Sequence, residues 1–242
     1  MFSKSFPLTL WAALCFLLIS PQPSSASIVV NGTRVVYPGN DKEVTVKLSN
    51  VGQAPMLVQS WIDTGDSDAK PEKIRVPFIL TPPINRIDPN KSQTLRLSYT
   101  ASPALPENKE SVYWLNVLEI PPVKENIAPN RLQVAFRTRI KIFYRPAAIA
   151  DNTKAADAAE KLVWSFSNGK LQATNSSPYY VSLVSVVVHQ RGNTFSTEGE
   201  MVPPGGVQQF TLKDARTLLA GAAISYEYVN DWGAVKTVKA VL

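Results

Sequence analysis

The sequence predicts an all-β protein built as two β-sandwiches in tandem. Three observations predict it. Apolar and polar residues alternate over short runs, which is the pattern of strands with one buried face. Turn-forming residues interrupt those runs about every ten residues. The chain of 242 residues is too long for one domain of about 100–150 residues and fits two.

The elements follow in order. Residues 1–26 read as a secretory signal peptide rather than as part of the fold. Lys4 supplies the positive start, Phe6 to Ile19 the apolar stretch, and Ser24-Ser25-Ala26 the small residues of a cleavage site after Ala26. The apolar run is shorter than the ~20 residues of a membrane span, and Pro21-Gln22-Pro23 ends it. No later segment is apolar enough to span. Cleavage would remove Cys15, the one cysteine, so the core must stand without disulfides. An exported sandwich without cystines points to a bacterial periplasm.

The first domain, residues 27–146, carries a series of strand patterns. Val44-Thr45-Val46-Lys47-Leu48, Thr94 to Tyr99 and Leu132-Gln133-Val134-Ala135-Phe136 alternate, and Val112 to Ile120 is rich in aromatic and branched residues. Breakers separate them at Pro38-Gly39-Asn40-Asp41, Asn50-Val51-Gly52, Asp63 to Asp68, Asp88-Pro89-Asn90 and Pro121-Pro122. Tyr144-Arg145-Pro146 closes the series, because proline cannot continue a paired strand. The second domain, residues 147–242, opens on the Ala-rich Asn152 to Leu162, a short helix or a loop. It then repeats the strand pattern at Val163 to Phe166, Lys170 to Thr174, Val181 to His189, Gln208 to Leu212, Ala223 to Val229 and Val235 to Leu242. The two halves share no repeat that can be aligned.

Composition narrows the function. The net charge is +6, and the bases are scattered singly rather than clustered as in a nucleic-acid binder. The single histidine, His189, lies in the apolar run Val186-Val187-Val188 and reads as structural. No Gly-x-Ser-x-Gly elbow and no phosphate-cradling glycine loop occur, so no catalytic residue is assigned. With one His and no Cys after processing, neither a metal site nor a cofactor is expected. Asp63, Asp66 and Asp68 lack the spacing of a calcium loop and read as a solvated turn.

Two stretches carry more information: Leu105-Pro106-Glu107-Asn108-Lys109-Glu110-Ser111-Val112-Tyr113-Trp114-Leu115-Asn116-Val117-Leu118-Glu119-Ile120-Pro121-Pro122 and Arg139-Ile140-Lys141-Ile142-Phe143-Tyr144-Arg145-Pro146. With Gly32-Thr33-Arg34-Val35-Val36-Tyr37, Leu80-Thr81-Pro82-Pro83 and Val229-Asn230-Asp231-Trp232-Gly233, they resemble the PapD-like periplasmic chaperones of the chaperone–usher pilus pathway. The resemblance implies two immunoglobulin-like domains in a boomerang arrangement with a cleft between them. It implies a chaperone that is not an enzyme and needs no ATP. Its partners would be pilus subunits lacking a last strand, and an outer-membrane usher that receives them; self-association of the client-free form stays open. The short Val123 to Asn130 loop, without a flanking Cys, resembles the short-loop branch of the family.

The resemblance also assigns residues. Arg34 and Lys141 would hold the C-terminal carboxylate of the pilus subunit; read without it, they are solvated edge charges. Leu132, Val134 and Phe136 would enter the subunit as a donor strand, although their alternation alone suits burial in the protein's own core. Lys141 has the opposite parity, so either the strand is irregular or Lys141 faces another surface. Glu110, Arg145 and Asp231 match an ion-pair network between the lobes, expected as partly exposed pairs of about 0–1 kcal/mol each. The alternative from another class is a periplasmic carbohydrate-binding or adhesin module using Trp61, Trp114 and Trp232 as stacking platforms, with Trp114 the one expected in the core.

Overall fold

Strand after strand pairs with partners far away in sequence, and four sheets result. The structure is a computed structural model, and it describes residues 27–122, 133–215 and 217–242. The expected signal peptide (residues 1–26), residues 123–130, expected as a loop, and the donor candidate Leu132 lie outside the described residues.

The first sandwich uses β1 (Ile28–Val30), β2 (Arg34–Pro38), β3 (Val44–Asn50), β4 (Met56–Asp63), β5 (Phe78–Thr81), β6 (Ile84–Ile87), β7 (Ser92–Tyr99), β8 (Ser111–Ile120) and β9 (Phe136–Arg145). One sheet has the order β1-β3-β7-β5 and the other β2-β9-β8-β4-β6. Alternation explains the core between them. Val46 and Leu48 of β3 and Leu95 and Leu97 of β7 face Val58, Leu115, Val117, Ile140 and Ile142 of the opposite sheet, and all are buried. Every pairing is antiparallel except β2 with β9. Thr81–Pro82 is a cis peptide.

The second sandwich uses α1 (Asn152–Glu160), β10 (Val163–Ser167), β11 (Lys170–Asn175), β12 (Val181–Gln190), β13 (Asn193–Glu198), β14 (Met201–Val202), β15 (Gly206–Phe210), β16 (Ala223–Val229) and β17 (Val235–Val241). Its sheets run β10-β11-β15 and β13-β12-β16-β17, with β14 beside β12. The Ala-rich segment is the helix. Asp151 caps it by accepting from the Thr153 and Lys154 N–H groups, and Ala158 and Ala159 enter the second core. There the Tyr226 hydroxyl donates to the Ala159 carbonyl at 2.6 Å, and burial pushes the phenol pKa up to about 12.

A repeat that the sequence hides is present at one corner of each sandwich. Asn50 donates to the carbonyl four residues on, Ala54, at 2.8 Å and accepts from Gly52 N–H. Asn175 does the same with Tyr179 at 2.7 Å and Ser177 N–H. Both are buried, and both satisfy turn backbone that has no strand partner.

At the end of the first sandwich, where β2 and β9 finish, Gly39 N–H donates to the Arg145 carbonyl at 2.6 Å. A Cβ at Gly39 would meet Ala147 N at 2.9 Å. A side chain there would push β2 off the end of β9, the strand that carries the site.

Candidate functional site

The parallel register of β2 and β9 sets Arg34 directly beside Lys141. Neighbouring strands lie about 4.8 Å apart, so the two cations share one patch of surface. No register shift interrupts the pairing of β9 with β8. The parity question is therefore settled by faces: Ile140 and Ile142 point into the first core, while Lys141 points outward with Phe143 and Arg145, toward the other sandwich.

Arg34 is held across the gap between the sandwiches. Its Nη1 donates to the Val229 carbonyl at 2.8 Å and reaches Ser182 Oγ at 3.5 Å. Its guanidinium lies 5.5 Å from the centre of the Phe143 ring. Its Nε is buried and has no hydrogen-bond partner among the described residues. Burial pulls the Arg34 pKa down, while the carboxylates of Asp231 and Glu110 push back. Lys141, among the described residues, forms no salt bridge. Burial lowers its pKa, and the charge of Arg34 lowers it further. Two half-desolvated cations side by side repel one another, and an arriving anion would relieve both.

Glu110, Arg145 and Asp231 meet at the junction. Arg145 Nε donates to Glu110 Oε1 at 2.8 Å, and its Nη2 lies 2.9 Å from Asp231 Oδ2. Glu110 reaches the second sandwich itself by accepting the Tyr180 N–H at 2.8 Å. Arg145 also donates to Asn152 Oδ1 and stacks 5.2 Å from the Tyr179 ring centre. The expectation of partly exposed pairs needs correction. The side chains of Arg145 and Glu110 are each only 2% exposed, and Asp231 is 27% exposed. The second sandwich closes over them, so their energetics are those of buried charges. Burial opposes the charge on Arg145, but its two carboxylates outweigh it and hold its pKa up.

The donor candidates lie past the end of their own core. Val134 precedes β9 and is 52% exposed; Phe136, its first residue, is 46% exposed. Neither joins the first core, and residues 133–135 of the expected strand lie outside β9, which begins at Phe136. β2 pairs with β9 only over Lys141–Arg145. Among the described residues, the edge of Phe136–Ile140 on that side has no strand partner.

Two sequence expectations need correction. Asp63 is not a solvated turn residue: it is 1% exposed, accepts from Arg139 Nε at 3.0 Å and from Asn116 Nδ2 at 2.6 Å. Burial works against its charge, but these hydrogen bonds win and hold its carboxyl below the usual value. Trp114 is not core. It sits half-buried on the outer face of β8, with the Arg139 guanidinium 4.8 Å from its ring centre. Trp61 is also half-buried, and Trp232 alone of the three is fully presented, at 77% exposure. His189 bonds Thr194 across the β12–β13 pair. Sequence reasoning missed Ser182 and the Val229 carbonyl as partners of Arg34, since a backbone carbonyl and a lone serine leave no motif.

Two sandwiches joined through a buried ion-pair junction, with a pair of cations beside an open strand edge, define a class of two-domain β-sandwich proteins. The chain belongs to the PapD family of pilus-assembly chaperones. Residues 27–150 match the model described as "Pili and flagellar-assembly chaperone, PapD N-terminal domain", and residues 157–240 the "Pili assembly chaperone PapD, C-terminal domain". The chain is 44% identical to the probable fimbrial chaperone YadV of Escherichia coli K12, over 91% of this chain and 93% of the relative. It is 40% identical to the chaperone protein MrkB of Klebsiella pneumoniae, over 93% and 95%. Among solved structures, that of YadV matches with a TM-score of 0.75 at 41% identity, over 90% of this chain and 100% of that one. A chain from the Salmonella enterica SafA pilin–SafB chaperone complex matches with a TM-score of 0.75 at 26% identity, over 91% and 99%.

Proposed function

We propose that this chain is exported, cleaved after Ala26, and acts in the periplasm as a chaperone that holds pilus subunits and passes them to an outer-membrane usher. The chaperone lends the strand before Lys141 to the subunit in place of its missing last strand, and the subunit docks along the open edge of β9. Its backbone pairs with Phe136–Ile140, while Val134 and Phe136, with Leu132 before them, fill its apolar groove. Its C-terminal carboxylate stops at Arg34 and Lys141. Arg34 offers a planar fork and Lys141 a compact charge, and each charge-assisted bond contributes roughly 1.5–3 kcal/mol. Glu110, Arg145 and Asp231 hold the two lobes so that the cleft stays open to one carboxylate.

One observation supports this reading above the others: β9 is covered by β2 only as far as Lys141, so the open edge ends where the two cations begin. The test is binding of a peptide made of the last residues of a pilus subunit, as free acid and as amide. The free acid should bind about tenfold or more tightly. Equal affinity removes the carboxylate from the reading. Retention on a sugar column with no pilus subunit bound would return the carbohydrate-binding alternative.

A further inference from the structure

One buried acid of the first sandwich takes no part in the cleft. Glu119 lies on the core-facing side of β8, paired in register with Val58 and Phe136, and is 5% exposed. Its carboxylate crosses the sandwich. Oε2 accepts the N–H of Ile28, the first residue of edge strand β1, at 2.8 Å. That N–H is one that β1 cannot give to β3. The Ser27 carbonyl already faces Val51 N–H, and Asn31 N–H faces the Lys47 carbonyl, so the alternate residue Ile28 points off the sheet edge. Glu119 therefore ties the outermost strand of one sheet to the middle of the other.

The second oxygen is the anomaly. Glu119 Oε1 is buried and has no hydrogen-bond partner among the described residues. The pocket beside it is lined by Ser27, Met56, Glu119, Pro121, Val134 and Phe136, and none of these side chains is cationic. A buried carboxylate left half-satisfied is costly unless a cation meets it.

We propose that the missing cation is the α-ammonium of Ser27, created when the signal peptide is removed. The inference rests on cleavage after Ala26. Hydrolysis adds one water across the Ala26–Ser27 amide, leaving a carboxylate on Ala26 and an amine on Ser27 that takes up a proton. That nitrogen is one residue, about 3.5 Å of chain, from the Ile28 nitrogen already bonded to Glu119. In the precursor the same nitrogen is a neutral amide. Processing therefore places a positive charge where the edge strand is tied across the sandwich. Val134 and Phe136 line the same pocket, so the new pair also underlies the donor segment.

The test compares the full mature chain beginning at Ser27 with the same chain preceded by Ala26, each with Glu119 or with Glu119→Gln. The extra residue moves the ammonium away and should lower the unfolding midpoint of the first sandwich by about 4 °C or more. In the Glu119→Gln background it should change nothing. Equal midpoints with Glu119 present overturn the pairing. Should Glu119→Gln fail to fold, Nα-acylation of the Ser27 chain decides. A carboxylate partner that raises the amine pKa by one unit leaves about a tenth of the nucleophile, so the folded protein should react about tenfold more slowly than the unfolded chain. Equal rates overturn the pairing. The intact mass of the periplasmic protein keeps the two readings apart, because a chain that does not begin at Ser27 overturns the cleavage itself.

Discussion

Lys141 and Arg145 stand four residues apart on one face of one strand, and they are used in opposite ways. Arg145 is sealed at the junction with two carboxylates, an amide oxygen and an aromatic ring around it. Lys141 is half-buried beside another cation, with no salt bridge among the described residues. The difference teaches how to tell a cation that builds a protein from one that waits for a ligand. A structural cation is matched by charges of its own chain, and its removal strands them. On the proposed reading a recognition cation is left unmatched, so its removal should cost the free protein nothing and cost the complex its anchor. The cleft and junction together hold three cations, Arg34, Lys141 and Arg145, against Glu110 and Asp231. One positive charge remains in excess, which suits one carboxylate.

The largest expected effect breaks the matched half of this comparison. Arg145→Ala leaves Glu110 buried without its cation, and breaking a buried pair from one side costs about 3–5 kcal/mol. Chemical denaturation should show a loss of that size, together with faster proteolysis of the junction near Pro146. A loss below about 1 kcal/mol would place Arg145 in the same class as Lys141.

Next comes the open half of β9. Val134→Asp should leave the protein soluble, with stability changed by no more than about 0.5 kcal/mol, because the side chain is exposed and outside the core. Affinity for a pilus subunit should fall by several kcal/mol, since the new charge would enter an apolar groove unpaired. Thermal melting and co-purification read the two effects separately. A collapsed melt with binding intact would restore the core role for this segment.

The same strand shows what sequence could and could not deliver. Alternation located β3 and β7, because a half-buried strand writes its period into the chain, and aromatic and branched residues located β8, while the face of Lys141 on β9 stayed open until the pairing with β8 was seen. Strands of three or four residues such as β1, β5 and β6 are too short to carry a period. The motif strings pointed to Arg34, Lys141, Glu110, Arg145 and Asp231 by position. Their burial was not legible, since it depends on a second sandwich packing over the first. Asp63 misled for the same reason: its turn-like neighbours Gly65, Asp66 and Asp68 are visible in sequence, while Arg139 and Asn116, which seal it, arrive from β9 and β8. The corner role shared by Asn50 and Asn175 was hidden because the same device sits in unlike strings.

A smaller effect tests the unmatched half. Arg34→Ala and Lys141→Ala should each weaken binding of a free-acid pilin peptide by about tenfold and leave the amidated peptide unaffected. Lys141→Arg should recover little, because a fork does not replace a point charge. If either truncation weakens both peptides equally, that cation shapes the cleft rather than reading the carboxylate.

The smallest effect is the most diagnostic of an unmatched cation, because it is a gain. Burial and the charge of Arg34 hold the Lys141 pKa below its ordinary 10.5. The folded state therefore binds fewer protons than the unfolded state between the lowered value and 10.5. Stability attributable to this group must rise with pH across that window, and at lower pH the folded protein carries the full penalty of the charge. Lys141→Met removes the charge while retaining the stem. It should raise the unfolding midpoint slightly at pH 7, by up to about 4 °C, and the gain over wild type should shrink as pH climbs toward 10.5. Comparing the two chains at each pH cancels the tyrosines that titrate nearby. Pilus subunits should bind this more stable protein less well. If Lys141→Met instead lowers the midpoint at pH 7, Lys141 has an anion of its own chain, and its contrast with Arg145 disappears.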